Sequence, residues 1–490
     1  MKTKWLLFVV LVLVTISTVC QTINFDTTQT VFSSVIQTSD EIVEIPNNIE
    51  RLDKRKGVST YHYLINGANL YIQEEGAGIP LLLIHGGPGG TSHVFHPYFS
   101  NASKYSKIIY YDQRGCGLSQ FTGDSTYTIL QSIEDIESLR KELSIEKWFV
   151  LGHSFGGILA QYYTFTYPEN VLGVILVNSE ISFQQNYLIS GNQYLNISNL
   201  EKNLMYKNWK LIDEGKVSLA TGLFNAELNG AWKRQSFYKP TQTYAAQTSL
   251  YEWHHDKHFN SLMSGAIDYI DFSNCFKTCP IPFYIIEGKW DNTWGRNKTE
   301  LILKEFPLSK LFVIDSSAHS PFQSNSLAFF TILESIFKEE KPILNRDIKI
   351  WKNHAQKEFD KNIEILENDD AFLGLVDNYN FKLALYFFDS LKLEKPNNKV
   401  ITPLPLINSG KWLLKSNSRS NLAVDFFVLC LKEYPEANIC YYYIAKSYQA
   451  TENNKQAELY MRMYISETSQ GIDTKQNFEY RLKVLMKNEL

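Results

Sequence analysis

The 490-residue sequence predicts an α/β domain interrupted by a helical insertion and followed by an all-α region. Three observations carry this reading. Short apolar runs that end in polar or glycine-rich turns recur at 79–84, 107–111, 148–151, 281–286 and 311–314, the mark of strands buried on both faces of a parallel sheet. That rhythm stops between about 180 and 276, where polar and aromatic residues take helical spacing over a length too great for an ordinary loop. From about 341 to 490 strand-like alternation is absent and nearly all the pattern is helical.

The elements follow in order. Residues 60–65 and 70–73 read as two edge strands joined at Asn66-Gly67, a two-residue hairpin signal. The run 79–84 ends in HGGPGG at 85–90. Four glycines and a proline in six residues make a tight loop with backbone N–H groups free to face a ligand. No Lys-Ser/Thr follows them, which argues against a phosphate-binding loop. The run 107–111 leads into Asp112, Gln113, Arg114, Gly115, Cys116 and Gly117, where Asp112 and Arg114 are placed to pair and fix the turn.

The most informative segment is GHSFGG at 152–157, between the apolar run 148–151 and a helical stretch to about 167. A serine flanked by glycines at a strand-to-helix turn has the layout of a nucleophile elbow, with small neighbours permitting the sharp turn. Acyl transfer at Ser154 needs donors for the oxyanion, and the N–H groups of Phe155 and Gly87 are the expected pair. A base and its orienting acid come later in the chain. His319 follows the run 311–314 and Asp291 follows 281–286, in the order expected of a Ser–Asp–His set. Asp315 and Glu287 stand as other candidates for the acid. His153 must point away from Ser154 and reads as structural.

The motifs HGGPGG, DQRGCGLS at 112–119, GHSFGG, Gly288 through Asp291 and Ala318 through Pro321 together resemble the proline iminopeptidase group of α/β-hydrolases, serine peptidase family S33. The resemblance covers roughly residues 55 to 340. It implies an α/β-hydrolase fold and removal of an N-terminal residue, often proline, from short peptides, with no metal or organic cofactor. In that family glutamates of the helical cap hold the substrate's ammonium. Glu252 is the first candidate here and Glu180, at the cap entrance, the second. At 231–235 the chain carries AWKRQ, where the family would have a glutamate in a Trp-rich segment. Trp232, Tyr238, Tyr251, Trp253, Phe259 and Met263 are expected to line a lid or to pack within the cap. A carboxylesterase or lipase would share the triad and lack the amine anchor. A binding protein acting through its tail is a third class, against which the complete Ser–Asp–His set argues.

Domain boundaries follow: a leader at 1–20, a lead-in at 21–55, the α/β-hydrolase domain at 56–340 with its cap at about 180–276, and a helical domain at 341–490. In the last, Ala423 and Ala457 lie thirty-four residues apart, with Ala445 and Tyr448 between them and Ala384, Phe388 and Pro396 hinting at an earlier copy. This resembles degenerate tetratricopeptide repeats, and the tail reads either as a stabilising or dimerising appendage or as a surface for a protein or peptide partner.

Lys2 and Lys4, an apolar run from Trp5 through Val14, and a small-polar stretch to Cys20 have the layout of a secretory signal peptide. An uncleaved anchor is the alternative. Sequons at Asn101, Asn196 and Asn297 would then allow glycosylation. A formal net charge of -4 and the lack of a basic stripe argue against nucleic acid as a partner. Six cysteines are too few for a disulfide scaffold. Cys275 with Cys279, and Cys430 with Cys440, are the pairs able to bridge, and a zinc site lacks further ligands at suitable spacing.

Overall fold

The computed structural model describes residues 42, 44–45, 48–179, 199–229, 246–267, 270–289, 291, 298–339, 343–415, 419–468 and scattered positions from 478 to 486. They belong to a compact unit, Ser39–Leu490. The proposed leader at 1–20 lies outside the described residues.

Eight strands form one sheet: β1 Val58–Ile65, β2 Ala68–Glu75, β3 Ile79–Ile84, β4 Ser106–Tyr111, β5 Trp148–His153, β6 Val171–Val177, β7 Phe283–Gly288 and β8 Lys310–Ile314, in the spatial order β1-β2-β4-β3-β5-β6-β7-β8. The β1–β2 hairpin turns at Asn66 and Gly67, both at positive φ (47° and 79°), as a two-residue turn of this hand requires. Strand β2 runs antiparallel to β4, and every pairing from β4 to β8 is parallel.

The apolar runs arise because both faces of the sheet are covered. Leu82 and Ile84 of β3 join a core with the helices α1 (Ile129–Glu142) and α2 (Gly156–Thr166). Leu81 and Leu83 join a second core with Phe322, Phe329 and Leu333 on the opposite face. Alternate side chains therefore enter different cores, and the two-residue period leaves no polar face.

Between β6 and β7 the described residues form α3 (Asn199–Asp213), α4 (Leu219–Asn229), a π-helical turn at Thr248–Glu252 and α5 (Phe259–Ile267). The lead-in ties this insertion to the sheet. Ile45 packs on Phe224 and Ala246, Thr221 Oγ1 donates to Glu44 Oε2 at 3.0 Å, and Leu52 N–H donates to His93 Nε2 at 3.0 Å. After β7 come α6 (Lys298–Glu305), then α7 (Pro321–Ser324) and α8 (Ser326–Lys338).

The tail opens with α9 (Asn345–Asp377), 33 residues long and so about 50 Å. It is docked on the sheet domain: Trp351 Nε1 donates to Cys275 O at 2.8 Å, Asn362 Nδ2 donates to Asp271 O and Ser273 O at 3.0 Å each, and Phe359 stacks on Phe272 at 5.5 Å. Then follow α10 (Phe381–Glu394), α11 (Pro403–Lys415), α12 (Ser420–Glu433), α13 (Ile439–Ala450) and α14 (Asn454–Thr468). Ala384, Ala423, Ala445 and Ala457 are all fully buried, as close helix approach demands. Cys275, Cys279, Cys430 and Cys440 are buried thiols, none of them in a disulfide. Among the described residues no helix is long and apolar enough to cross a membrane.

Candidate active site

Strands β3, β5, β6, β7 and β8 end at the same edge of the sheet, where open α/β sheets hold their ligands. Ser154 stands between β5 and α2 with φ 54°, a left-handed conformation rare for serine. The glycines around it are required sterically. A Cβ on Gly152 would lie 2.4 Å from Gly156 O, and one on Gly156 would lie 2.2 Å from Ile84 O. Ser154 N–H is anchored to Val177 O at 3.1 Å. The elbow is thus wedged between β3 and β6, with its serine partly exposed.

Gly86 and Gly87 lead out of β3 across the front of this turn. A Cβ on Gly86 would stand 2.8 Å from the Cβ of Ser154 and 3.4 Å from Phe155 N. Gly87 has φ 124°, accessible to glycine and to few other residues. Phe155 is the N-cap residue of α2, where the N–H groups lack acceptors within the helix. Gly86 and the N–H of Phe155 are therefore brought to the same place beside Ser154, with Gly87 the next residue of the loop.

His85 holds the loop from beneath. It is fully buried, its Nε2 accepts from Gln113 N at 3.0 Å, and its Nδ1 lies 3.1 Å from Gly86 O. Burial pushes its pKa down to about 4, so the ring is neutral, with Nδ1–H as donor. Asp112 and Arg114 do not pair with each other, contrary to the expectation from sequence. Asp112 Oδ1 accepts from Ser92 N and Oγ at 2.8 and 2.7 Å, and its Oδ2 accepts from Leu118 N at 2.8 Å. Arg114 instead forms a bidentate pair with Asp135 of α1 at 2.9 and 2.8 Å. Planar guanidinium and carboxylate match best in that fork geometry. Cys116 is buried beside this turn and bridges to His255 of the insertion.

Asp291 and His319 meet although they leave different strands: His319 Nδ1 lies 2.9 Å from Asp291 Oδ2, with side-chain exposures of 19% and 2%. Of the other acid candidates, Asp315 is exposed and pairs with Lys289 at 3.2 Å, and Glu287 is buried within β7. His153 Nε2 donates to His319 O at 2.9 Å, and its ring centroid is 5.0 Å from that of His319. Its structural reading thus gains a definite partner.

Glu252 closes the π-helical turn and is buried, with Oε1 3.7 Å from His93 Nδ1. Leu52 N–H occupies His93 Nε2, which leaves Nδ1 to carry the proton that faces Glu252. The turn rests on the continuation of the HGGPGG loop: Thr91 Oγ1 donates to Tyr251 O at 2.5 Å, and Gly89 packs against the His255 ring. Trp253 follows and is half-buried. Phe259 and Met263 are internal, Phe259 edge-on to Tyr127 at 5.2 Å. Tyr251 is also committed, its hydroxyl bonded to Ile49 O and Arg51 lying over its ring. Glu180, Trp232, Tyr238, Asn196 and Asn297 lie outside the described residues. Sequence reasoning missed His93 and Asn178, since a histidine in a loop and an asparagine after a strand carry no motif.

The profile of the alpha/beta hydrolase fold family matches residues 79–325, half of the chain, and the chain belongs to that family. A probable proline iminopeptidase of Leptolyngbya boryana is 40% identical over 114 residues, 22% of this chain and 34% of that protein; the match thus spans about a third of that relative's length. The proline iminopeptidase of Saccharolobus solfataricus is 29% identical over 268 residues, 52% of this chain and 84% of that protein. Among solved structures, the proline iminopeptidase-related protein of Thermus thermophilus covers 59% of this chain and 99% of its own, with 20% identity and a TM-score of 0.46. The family match and the sequence relatives support a hydrolase of this fold.

Proposed function

We propose that this hydrolase is a serine aminopeptidase that releases an N-terminal residue, proline among the candidates, from short peptides. The observation that carries the reading is Ser154 at φ 54° on the strand-to-helix elbow, at the same sheet edge as the His319–Asp291 pair. In the mechanism, His319 takes the Ser154 proton while Ser154 Oγ attacks the carbonyl carbon. The N–H groups of Gly87 and Phe155 receive the oxyanion. His319 then protonates the leaving amine, and water hydrolyses the acyl-enzyme by the reverse roles. Asp291 holds the imidazole tautomer and stabilises its charged form. Peptide substrates are supported by the names of the relatives.

Glu252 is the proposed partner of the substrate's ammonium, with Glu180, Trp232 and Trp253 as further substrate contacts. A buried carboxylate next to one histidine has lone pairs to spare for a cation. The test is kcat/KM on proline, alanine and leucine nitroanilides, each free and N-acetylated, beside a short-chain nitrophenyl ester. Glu252→Gln is expected to lower kcat/KM for free amines by about 10-fold or more, the scale of one charge-assisted bond, and to leave the ester nearly unchanged. Equal rates on free and acetylated substrates would reject the amine anchor and leave a carboxylesterase.

Two further proposals concern the rest of the chain. Helices α10–α14 are read as degenerate tetratricopeptide-like hairpins, supported by the buried alanines thirty-four residues apart and by Phe427 stacked on Tyr443 at 5.4 Å. Residues 1–20 are read as a signal peptide that sends the protein to a secreted or lumenal compartment. Of the three sequons Asn101 lies among the described residues and is exposed, and intact-mass measurement of protein expressed in a secretory host tests both cleavage and glycosylation.

A further inference from the structure

Asn178 is the first residue beyond β6, fully buried, and its side chain joins the two loops that carry Asp291 and His319. Its Nδ2 donates to Ala318 O at 2.6 Å, and its Oδ1 accepts from Gly288 N–H at 2.7 Å. Its own N–H donates to Ile286 O at 3.0 Å. The backbone there has φ 41°, a region that asparagine, aspartate and glycine enter with least strain. The two loops run so close that a Cβ on Gly288 would lie 2.1 Å from Ala318 O. The next carbonyl along, His319 O, is met by His153 Nε2. Both peptide groups that flank His319 are therefore held by side chains from the ends of neighbouring strands.

We propose that Asn178 is a positioning residue that sets the separation of the acid loop from the base loop, and so the geometry of the His319–Asp291 pair. This rests on the triad reading above. The chemistry selects asparagine. The bridge must accept from one N–H and donate to one C=O, and a carboxamide does both without charge. An ionised aspartate keeps the acceptor and loses the donor, and glycine keeps the backbone conformation and loses both. A buried carboxamide with both bonds made is rigid, and a small displacement of a reacting group is costly in rate.

The test compares wild type with Asn178→Gly and Asn178→Asp on free-amine nitroanilides. Its other readouts are labelling of Ser154 by a fluorophosphonate and the downfield proton resonance of His319 Nδ1–H. Asn178→Gly is expected to lose about 10- to 100-fold in kcat with KM little changed, because the cap is untouched. The acid limb of kcat/KM should move to lower pH, since a less well-placed Asp291 stabilises the imidazolium less. The resonance should shift upfield or disappear. Asn178→Asp should also lower kcat and shift or remove the resonance, and it stands in for those two readouts if the glycine variant does not fold; its acid limb is not compared, because a carboxylate beside His319 itself favours the imidazolium. A folded variant with wild-type kcat, acid limb and resonance overturns the proposal. Loss of kcat with acid limb and resonance unchanged also overturns it, because the residue would then only support the fold. Failure of wild type to take the fluorophosphonate at Ser154 strikes the triad reading instead, while the His319 resonance still reports on the bridge.

Discussion

Gly86→Ala tests whether the loop after β3 bears directly on Ser154. Gly86 is buried and does not have positive φ, so alanine meets no backbone penalty there. The added carbon would lie 2.8 Å from both the Ser154 Cβ and His153 O. Unstrained contact lies at 3.4 Å or beyond, so one side has to yield by about half an ångström or more. Overpacking of this kind costs about 1–3 kcal/mol of stability, a loss the whole domain should survive. The effect on chemistry should be far larger. Ser154 is fixed from behind by Val177 O, so the strain falls on its side chain and on the Phe155 N–H beside it. Misplacement on this scale costs roughly 10²-fold in rate. The assay is kcat and KM on the best free-amine nitroanilide, with thermal unfolding measured in parallel. A folded Gly86→Ala protein with kcat within about threefold of wild type would refute the reasoning that the loop presses on a catalytic Ser154.

Three further outcomes are expected. Ser154→Ala deletes almost no packing and should abolish hydrolysis by about 10³-fold or more with unfolding unchanged; near-normal kcat in the folded variant would end the serine-hydrolase reading. Asp369 of α9 is raised from 3.8 to about 7 by burial, although Thr402 N–H donates to it at 2.7 Å. The folded chain therefore holds this proton more tightly than the unfolded chain, and Asp369 costs stability progressively as pH rises from about 4 to about 7. Asp369→Asn should match wild type near pH 4, melt higher at pH 8 by the equivalent of a few kcal/mol, and fail this expectation if the two melting curves stay parallel with pH. Gly374→Ala lies on the exposed face of α9 with nothing within 4 Å of the added carbon, so it should raise stability by up to about 1 kcal/mol and leave kcat/KM unchanged.

Much of the sheet and of the site was legible because its signals are local. A strand buried on both faces needs an unbroken apolar run, and 79–84 and 148–151 are such runs; both are strands in the structure. The Asn66-Gly67 hairpin follows from the positive φ that its two turn residues adopt. The glycines at 152 and 156 announce a close approach of backbone, and the distances their Cβ atoms would reach bear this out. Partners were harder to read. Arg114 was expected to meet its chain neighbour Asp112 and instead reaches Asp135 of α1. Both carboxylates are plausible by charge, and only packing chooses between them. Phe259 and Met263, for which lining a lid and internal packing were both open, take the internal reading and turn into the core, because helical spacing alone does not say which face of α5 meets the sheet.

By itself the sequence determined most of the strands and the order in which the chemistry-bearing residues arrive, because periodicity, turn residues and glycine sterics act over a few positions. Only the tertiary structure decided which distant groups meet. Asp291, not Asp315, stands against His319; Asn178 bridges loops that include a carbonyl 140 residues away; α9 packs against the segment around Cys275. These contacts depend on how strands stack side by side and how helices settle on them. The burial that drives such packing is non-directional, so the identity of each partner is settled when the chain closes on itself.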